Sequence, residues 1–204
     1  MAKIGVLGGT FDPIHNGHLR IGTGAYREFG LESIWFMPSG IPPHKRDHRV
    51  TVGEMRRDMV KLAVADTPYF LCSDFEMRRE GETYTAQTLA LLRETYREHE
   101  FYFIVGADSL YEIEQWHHPD LVMKNTVILA AGRTYRSWHR SFESQIRYLT
   151  EKYKAMIYPL HIPEIDISSK EIRRAVAEGR SIRNYVPAAV ADYIIDHRLY
   201  RDSE

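Results

Sequence analysis

The chain has almost no cysteine. A single thiol, Cys72, stands among 204 residues, which excludes an intramolecular disulfide and a thiolate cage for zinc. It reads as a small apolar packing residue at a strand end rather than as a nucleophile. Charge of one dominant sign is also missing: 27 Lys and Arg stand against 28 Asp and Glu, a formal net charge of −1. Such a balance creates no overall field for a polyanion, so no nucleic acid is expected as a partner. No apolar run approaches the roughly 18 residues of a membrane span. The short apolar run after Lys3 is cut by glycines, so no secretory signal is expected either. These absences point to a cytoplasmic protein with no membrane partner. What is present is ordinary for a globular domain, 44% hydrophobic and 27% charged, and the length suits one compact unit with a sizeable core. Residues 1–204 are read as a single domain, and a homo-oligomer is compatible with that reading.

Strand-like runs occur at 3–8, 33–38, 69–76, 101–106, 125–131 and 155–160. Between most of them, apolar residues recur at three- and four-residue steps, predicting helices over 17–29, 53–65, 84–97, 139–151, 169–178 and 187–197. Strands alternating with helices predict an α/β fold, a doubly wound parallel sheet covered on both faces. Ligands of such sheets bind outside the strand C-termini. The longest irregular stretch is 38–49, "PSGIPPHKRDHR", rich in proline and basic residues; a loop of that length is usually functional or mobile.

The most informative stretch is "LGGTFDPIHNGH" (7–18), placed where the first strand gives way to a helix. Gly8 and Gly9 let the backbone turn and approach a ligand with no β-carbon in the way. Thr10 and Phe11 continue the turn, Asp12 is suited to bond local backbone N–H groups, and Pro13 fixes one dihedral. With Asn16 read as the N-cap, Gly17 and His18 fall in the first helical turn, whose N–H groups attract anions. A phosphate there would meet backbone donors, a helix dipole and the imidazoles of His15 and His18 together. A double glycine alone could merely close a turn, and two histidines could be exposed polar residues. The complete run is far more restrictive.

That run resembles the motif of the nucleotidylyltransferase superfamily, with His15, Asn16, Gly17 and His18 as its H-x-G-H. The longer G-G-T-F-D-P-x-H-x-G-H is most similar to the bacterial nicotinate-nucleotide adenylyltransferases. Four more segments match that family in order: "PSGIPPHK" (38–45), "YTAQTL" (84–89), "GADSLYEIEQW" (106–116) and "ISSKEIR" (167–173). The resemblance implies a Rossmann-like fold and transfer of AMP from ATP to nicotinate mononucleotide, giving deamido-NAD and pyrophosphate. It implies Mg²⁺ carried on the ATP phosphates, with no dedicated metal ligands. It assigns catalysis to His15, His18 and Arg173. ATP would be held by Gly8, Gly9, Thr10, Phe11, His18, Gly106, Asp108, Arg133, Ser168 and Arg173. Nicotinate mononucleotide would be held by His44, Lys45, Tyr84, Thr85, Asp108 and Trp116. In this family the start of the 84–97 helix takes the pyridine carboxylate and the tryptophan stacks on the ring. Ser168 or Ser169 would cap the helix that carries Arg173.

Two positions depart from the family pattern. Lys170 replaces the usual threonine, and "GRTYR" (132–136) keeps Arg133 but not the usual Pro-Gly turn. The closing segment 185–200 reads as packing rather than chemistry. Competing readings are another member of the superfamily, such as pantetheine-phosphate adenylyltransferase or a cytidylyltransferase for small phospho-alcohols, and a nucleotide-binding protein without turnover.

Overall fold

The structure is a computed structural model, and it describes residues 1–40, 50–132, 140–163 and 166–201. Six strands form one sheet: β1 (Ala2–Gly9), β2 (Ser33–Pro38), β3 (Phe70–Cys72), β4 (His99–Gly106), β5 (Val127–Ala131) and β6 (Met156–Leu160), in the order β3-β2-β1-β4-β5-β6. Every pairing is parallel. The chain winds outward from β1 through β2 to β3, then returns to pair β4 with the other side of β1. The winding direction therefore reverses between β1 and β4, and a crevice opens at their C-terminal ends.

Side chains alternate across the pleat and divide the core in two. Leu7, Ile34, Phe36, Ile104 and Leu129 face one side. They meet residues of α1 (Asn16–Phe29), α2 (Gly53–Val64), α7 (Ser169–Ala177) and α8 (Ala188–Asp196), among them Ala25, Met59, Ile172 and Ile194. Ile4, Val6, Phe101, Phe103 and Ile128 face the other side. There they meet α3 (Thr85–Thr95), α4 (Ala107–Glu112), α5 (Pro119–Asn125) and α6 (Phe142–Tyr153) through residues such as Leu92, Leu110, Met123 and Leu149. Both faces of the sheet are thus covered, which is why its strands read as nearly unbroken apolar runs. Gly5 and Gly22 are fixed by this packing. A β-carbon on Gly5 would come 2.7 Å from the Ile34 side chain, and one on Gly22 would come 2.9 Å from the Phe36 ring.

Most expected elements are present, with instructive differences. The third strand ends at Cys72 instead of continuing to residue 76. Ser73 donates its N–H to the Phe36 carbonyl, its hydroxyl then accepts from the Phe75 N–H, and the chain turns away from the sheet. The helix expected over 139–151 begins at Phe142, because Ser141 caps it by accepting from the Ser144 N–H. Helix α5, opened by Pro119 at its first turn, has no counterpart among the expected helices; it is too short to show a clear period.

Cys72 is half-buried beside α2, its Sγ 3.8 Å from the Arg57 carbonyl, and burial pushes its thiol up to about 11. Roughly one molecule in a thousand would carry the thiolate at pH 8, so disulfide reagents should label the native protein about a hundredfold more slowly than the urea-unfolded chain. Equal labelling rates in the two states would contradict this placement.

Candidate active site

At the crevice between β1 and β4 lies a cavity of about 310 Å³. Gly8, Gly9, His15, Gly17 and His18 line it from the first crossover, Gly106 and Asp108 from the end of β4, Trp116 from the turn that follows α4, and Ser168 and Ser169 from the start of α7. The glycines shape it by what they lack. A β-carbon on Gly106 would meet no protein atom within 4 Å, so a side chain there would enter the ligand space instead of the core.

Helix α1 begins one residue earlier than the sequence suggests. Its N-cap is His15, and Asn16 is the first helical residue. Asn16 is held by a segment distant in sequence: its backbone N–H donates to the Tyr185 carbonyl at 2.8 Å and its side-chain amide to the Asn184 carbonyl at 3.3 Å. The two imidazoles stack, with centroids 3.7 Å apart. His18 Nδ1 accepts from the His15 N–H at 3.2 Å. A ring nitrogen that accepts carries no proton, so this geometry assigns the Nε2–H tautomer to neutral His18 and makes Nε2 the donor. Behind His18 stands Phe11, buried, in the left-handed region with φ 49, its ring edge-on to the imidazole at 5.0 Å. A phenylalanine in that conformation costs on the order of 1 kcal/mol or more, which burial of the ring against Phe36 and His18 offsets.

The loop between β1 and α1 is held by its carbonyls. Gly9 O accepts from the Ser39 N–H, Thr10 O from Arg56 Nη1, Asp12 O from Arg173 Nη1 and Pro13 O from the Ser169 hydroxyl, at 2.8, 2.8, 3.0 and 2.9 Å. Carbonyl oxygens left bare beside a phosphate would repel it; here each of these is covered by a donor. The Asp12 carboxylate does not serve the local backbone as expected from sequence. It accepts from the distant Thr51 N–H at 3.2 Å and from the Tyr200 hydroxyl at 2.6 Å. Burial and the neighbouring Asp12 push the Tyr200 hydroxyl well above the usual phenol range, so it stays a donor.

The expected site residues that the structure describes divide into three groups. Gly8, Gly9, His15, His18, Gly106, Asp108, Trp116 and Ser168 line one cavity. Thr10, Phe11 and Arg173 stand just behind it in the loop and its supports. Tyr84, the N-cap of α3, and Thr85, its first residue, lie beside the Trp116 segment, since Tyr84 stacks on His117 with centroids 4.3 Å apart. His44, Lys45 and Arg133 lie outside the described residues. Of the two candidate caps, Ser168 caps α7 by accepting from the Glu171 N–H at 3.2 Å; Lys170 is exposed. Among the described residues no group of three or more His, Cys, Asp or Glu is arranged to hold a metal ion, and the carboxylate lining the cavity is Asp108.

Arg56 and Tyr200 support the site without belonging to any of its sequence motifs. Arg56 carried a signal: it shares the helical stripe of Met59, Val60 and Ala63, where a charge is out of place, and it is 2% exposed. Tyr200 carried none, because its partner Asp12 lies 188 residues away.

The chain as a whole is similar to known proteins. A family model described as cytidylyltransferase-like matches residues 6–175. A protein of Lachnoclostridium phytofermentans named "Probable nicotinate-nucleotide adenylyltransferase" is 45% identical over 98% of this chain and 100% of its own length. One of the same name from Desulfitobacterium hafniense is 41% identical over 98% of this chain and 96% of its own. Among solved structures, the nicotinic acid mononucleotide adenylyltransferase of Plasmodium falciparum complexed with NaAD superposes with a TM-score of 0.81 at 22% identity, covering 98% of each chain, which bears on the fold.

The Tyr200–Asp12 contact ties the C-terminal residues to the loop at the cavity. Tyr200→Phe should lower the stability of the protein by about 1.5–3 kcal/mol, the cost of one hydrogen bond to a charged acceptor, read as a lower urea midpoint at unchanged slope. An unshifted midpoint would show that the contact contributes nothing.

Proposed function

We propose a role for each part of the site from one premise: the chain belongs to the nicotinate-nucleotide adenylyltransferase family of cytidylyltransferase-like proteins. Its activity is transfer of AMP from ATP to nicotinate mononucleotide, yielding deamido-NAD and pyrophosphate in NAD biosynthesis. The observation that carries this reading to the residues is the single cavity shared by Gly8, Gly9, His15, His18 and Trp116.

The attacking group is the phosphate of nicotinate mononucleotide and the target is the α-phosphorus of ATP, in a direct in-line displacement. A phosphate monoester is already ionised near neutral pH, so no strong base is needed, and no covalent intermediate is invoked. Catalysis consists of holding two anions in line and stabilising the charge that grows on the α-phosphate and leaving oxygens. Gly8, Gly9, Thr10 and Phe11 give backbone to the triphosphate. His18 donates from Nε2, His15 packs against it and adds a second imidazole, and Arg173 supplies positive charge from behind the loop. Gly106 keeps space for the nucleotide, Asp108 bonds ribose hydroxyls, and Ser168 and Arg133 complete the ATP side. Tyr84 and Thr85, at the start of α3, take the pyridine carboxylate on backbone N–H groups. Trp116 stacks on the electron-poor ring, and His44 and Lys45 meet the phosphate of the mononucleotide.

Mg²⁺ suits this site as an ion carried by the substrate: the lining carboxylate, Asp108, is given to the ribose, and the triphosphate oxygens with water are the hard ligands it prefers. When bound, it neutralises charge on the phosphates and on the leaving pyrophosphate. Residues 1–204 act as one catalytic domain in this reading. Its place is the cytoplasm; among the described residues no helix is long and apolar enough to cross a membrane. The helix start at Thr85 favours the acid form of the pyridine over the amide.

Purified protein with ATP, Mg²⁺ and nicotinate mononucleotide should release pyrophosphate, and faster than with nicotinamide mononucleotide. Product from phosphopantetheine, and none from nicotinate mononucleotide, would move the chain to a different acceptor. His18→Ala should lower turnover by a factor on the order of 10² to 10³ with folding retained, as for loss of one transition-state donor; near-normal turnover would remove His18 from the mechanism. Trp116→Ala should raise the KM for the mononucleotide much more than that for ATP, whereas equal effects would show that the ring is not stacked there.

A further inference from the structure

Two charged residues outside the cavity meet at one glycine, Gly40. Arg56 is buried in the first turn of α2, and its guanidinium donates only to backbone carbonyls: Nε to Thr51 at 2.9 Å, Nη1 to Thr10 at 2.8 Å, and Nη2 to Ser39 at 2.9 Å and Gly40 at 3.0 Å. On its other side, Gly40 packs against the Glu76 backbone and the Thr83 side chain. The Glu76 carboxylate accepts from the hydroxyls of Thr88, at 2.7 Å, and Thr83, at 3.2 Å. Arg79 Nη1 donates to the Thr88 oxygen at 3.0 Å, which commits the Thr88 proton to Glu76. There is no slack at the meeting point: a β-carbon on Gly40 would lie 3.1 Å from the Glu76 carbonyl and 3.5 Å from Thr83 Cγ2.

The ends of this chain of contacts are the two halves of the site. One end is the loop of Gly9 and Thr10, reached through the Ser39 N–H and Arg56. The other is Thr83, which immediately precedes Tyr84, the N-cap of α3. We propose that Arg56 and Glu76 are positioning residues for the transfer: Arg56 holds Gly40 by its carbonyl and Glu76 holds Thr83, against which Gly40 packs, so that together they set the spacing between the loop that takes the triphosphate and the helix start that takes the pyridine nucleotide. This rests on the substrate roles assigned under the proposed function.

Stability alone is a poor reason for such an arrangement. Burial pulls the Arg56 guanidinium below its ordinary value and pushes the Glu76 carboxyl above its own, so both groups are held in an environment that resists their charge. Well-packed apolar residues commonly stabilise a fold as well as buried charges do. What directional hydrogen bonds add is a fixed distance. An in-line displacement needs that, because a misplacement near 1 Å is enough to cost about a hundredfold in rate.

The test is steady-state kinetics of Glu76→Ala, Glu76→Gln, Arg56→Lys and Gly40→Ala with each substrate varied in turn, at a temperature well below the melting temperature of each variant. Glu76→Ala should raise the KM for nicotinate mononucleotide about tenfold and lower kcat about tenfold while the KM for ATP stays within about twofold. Glu76→Gln, which keeps an acceptor at the same reach, should recover most of the loss. Arg56→Lys releases Thr10 as well as Gly40, so it should lower kcat and raise both KM values. If Glu76→Ala does not fold, Gly40→Ala reports instead, with the same split between the substrates. Variants that melt earlier yet keep wild-type kcat and both KM values would show a purely structural role and overturn the proposal. A wild-type protein inactive on this substrate pair would overturn the substrate reading itself, a different result from wild-type activity with unmoved variants.

Discussion

A loop that is to receive a triphosphate must keep its own negative ends out of the way. In this fold that constraint is met at the first crossover, where the carbonyls of Gly9, Thr10, Asp12 and Pro13 are each covered by a donor: a backbone N–H, two guanidinium groups and a serine hydroxyl. The donors come from β2's end, α2 and α7, which are far apart in sequence and brought together only by the winding of the sheet. The site is therefore a property of the whole fold. The glycines and the helix start supply the attraction for an anion, and the surrounding elements keep the backbone in the orientation that makes the attraction available.

The histidines depend on the same framework. His18 presents Nε2–H because its Nδ1 is occupied by the His15 N–H, and the imidazole is kept in place by the edge of Phe11 on one side and the His15 ring on the other. Phe11 in turn holds a left-handed conformation that its buried ring makes tolerable. The chemistry asked of the site needs no strong base and no covalent nucleophile. Rigid placement of two imidazoles and a set of backbone groups is what an electrostatically stabilised displacement requires.

Much of this was legible in the sequence, for physical reasons that can be named. Strand β2 has the limits its sequence predicts, Ser33–Pro38, because an unbroken apolar run ended by proline has few alternatives. The glycines of the phosphate loop read as turn residues, but Gly8 and Gly9 close β1, paired with Met37 and Pro38, and it is Phe11 that takes the left-handed conformation. Errors fell where local signals compete. Ser73 ends β3 by a side-chain turn that propensity does not weigh, and His15 rather than Asn16 caps α1, against the general ranking of capping residues. The supports of the site were the least visible. Arg56 is a charge on an apolar stripe, a signal available but easily passed over, whereas the pairing of Tyr200 with Asp12 depends on the closed fold. The segment 185–200, read as packing alone, reaches the loop through that one hydroxyl.

The claim on which the rest stands is that the triphosphate is bound at the junction of β1 and α1. A crystal structure with a non-hydrolysable ATP analogue and Mg²⁺ tests it most directly. The account predicts phosphate oxygens within hydrogen-bonding distance of the Gly8–Gly9 backbone and of His18 Nε2, with the ribose beside Asp108. Nucleotide bound elsewhere, with the two imidazoles out of contact with any phosphate, would contradict it.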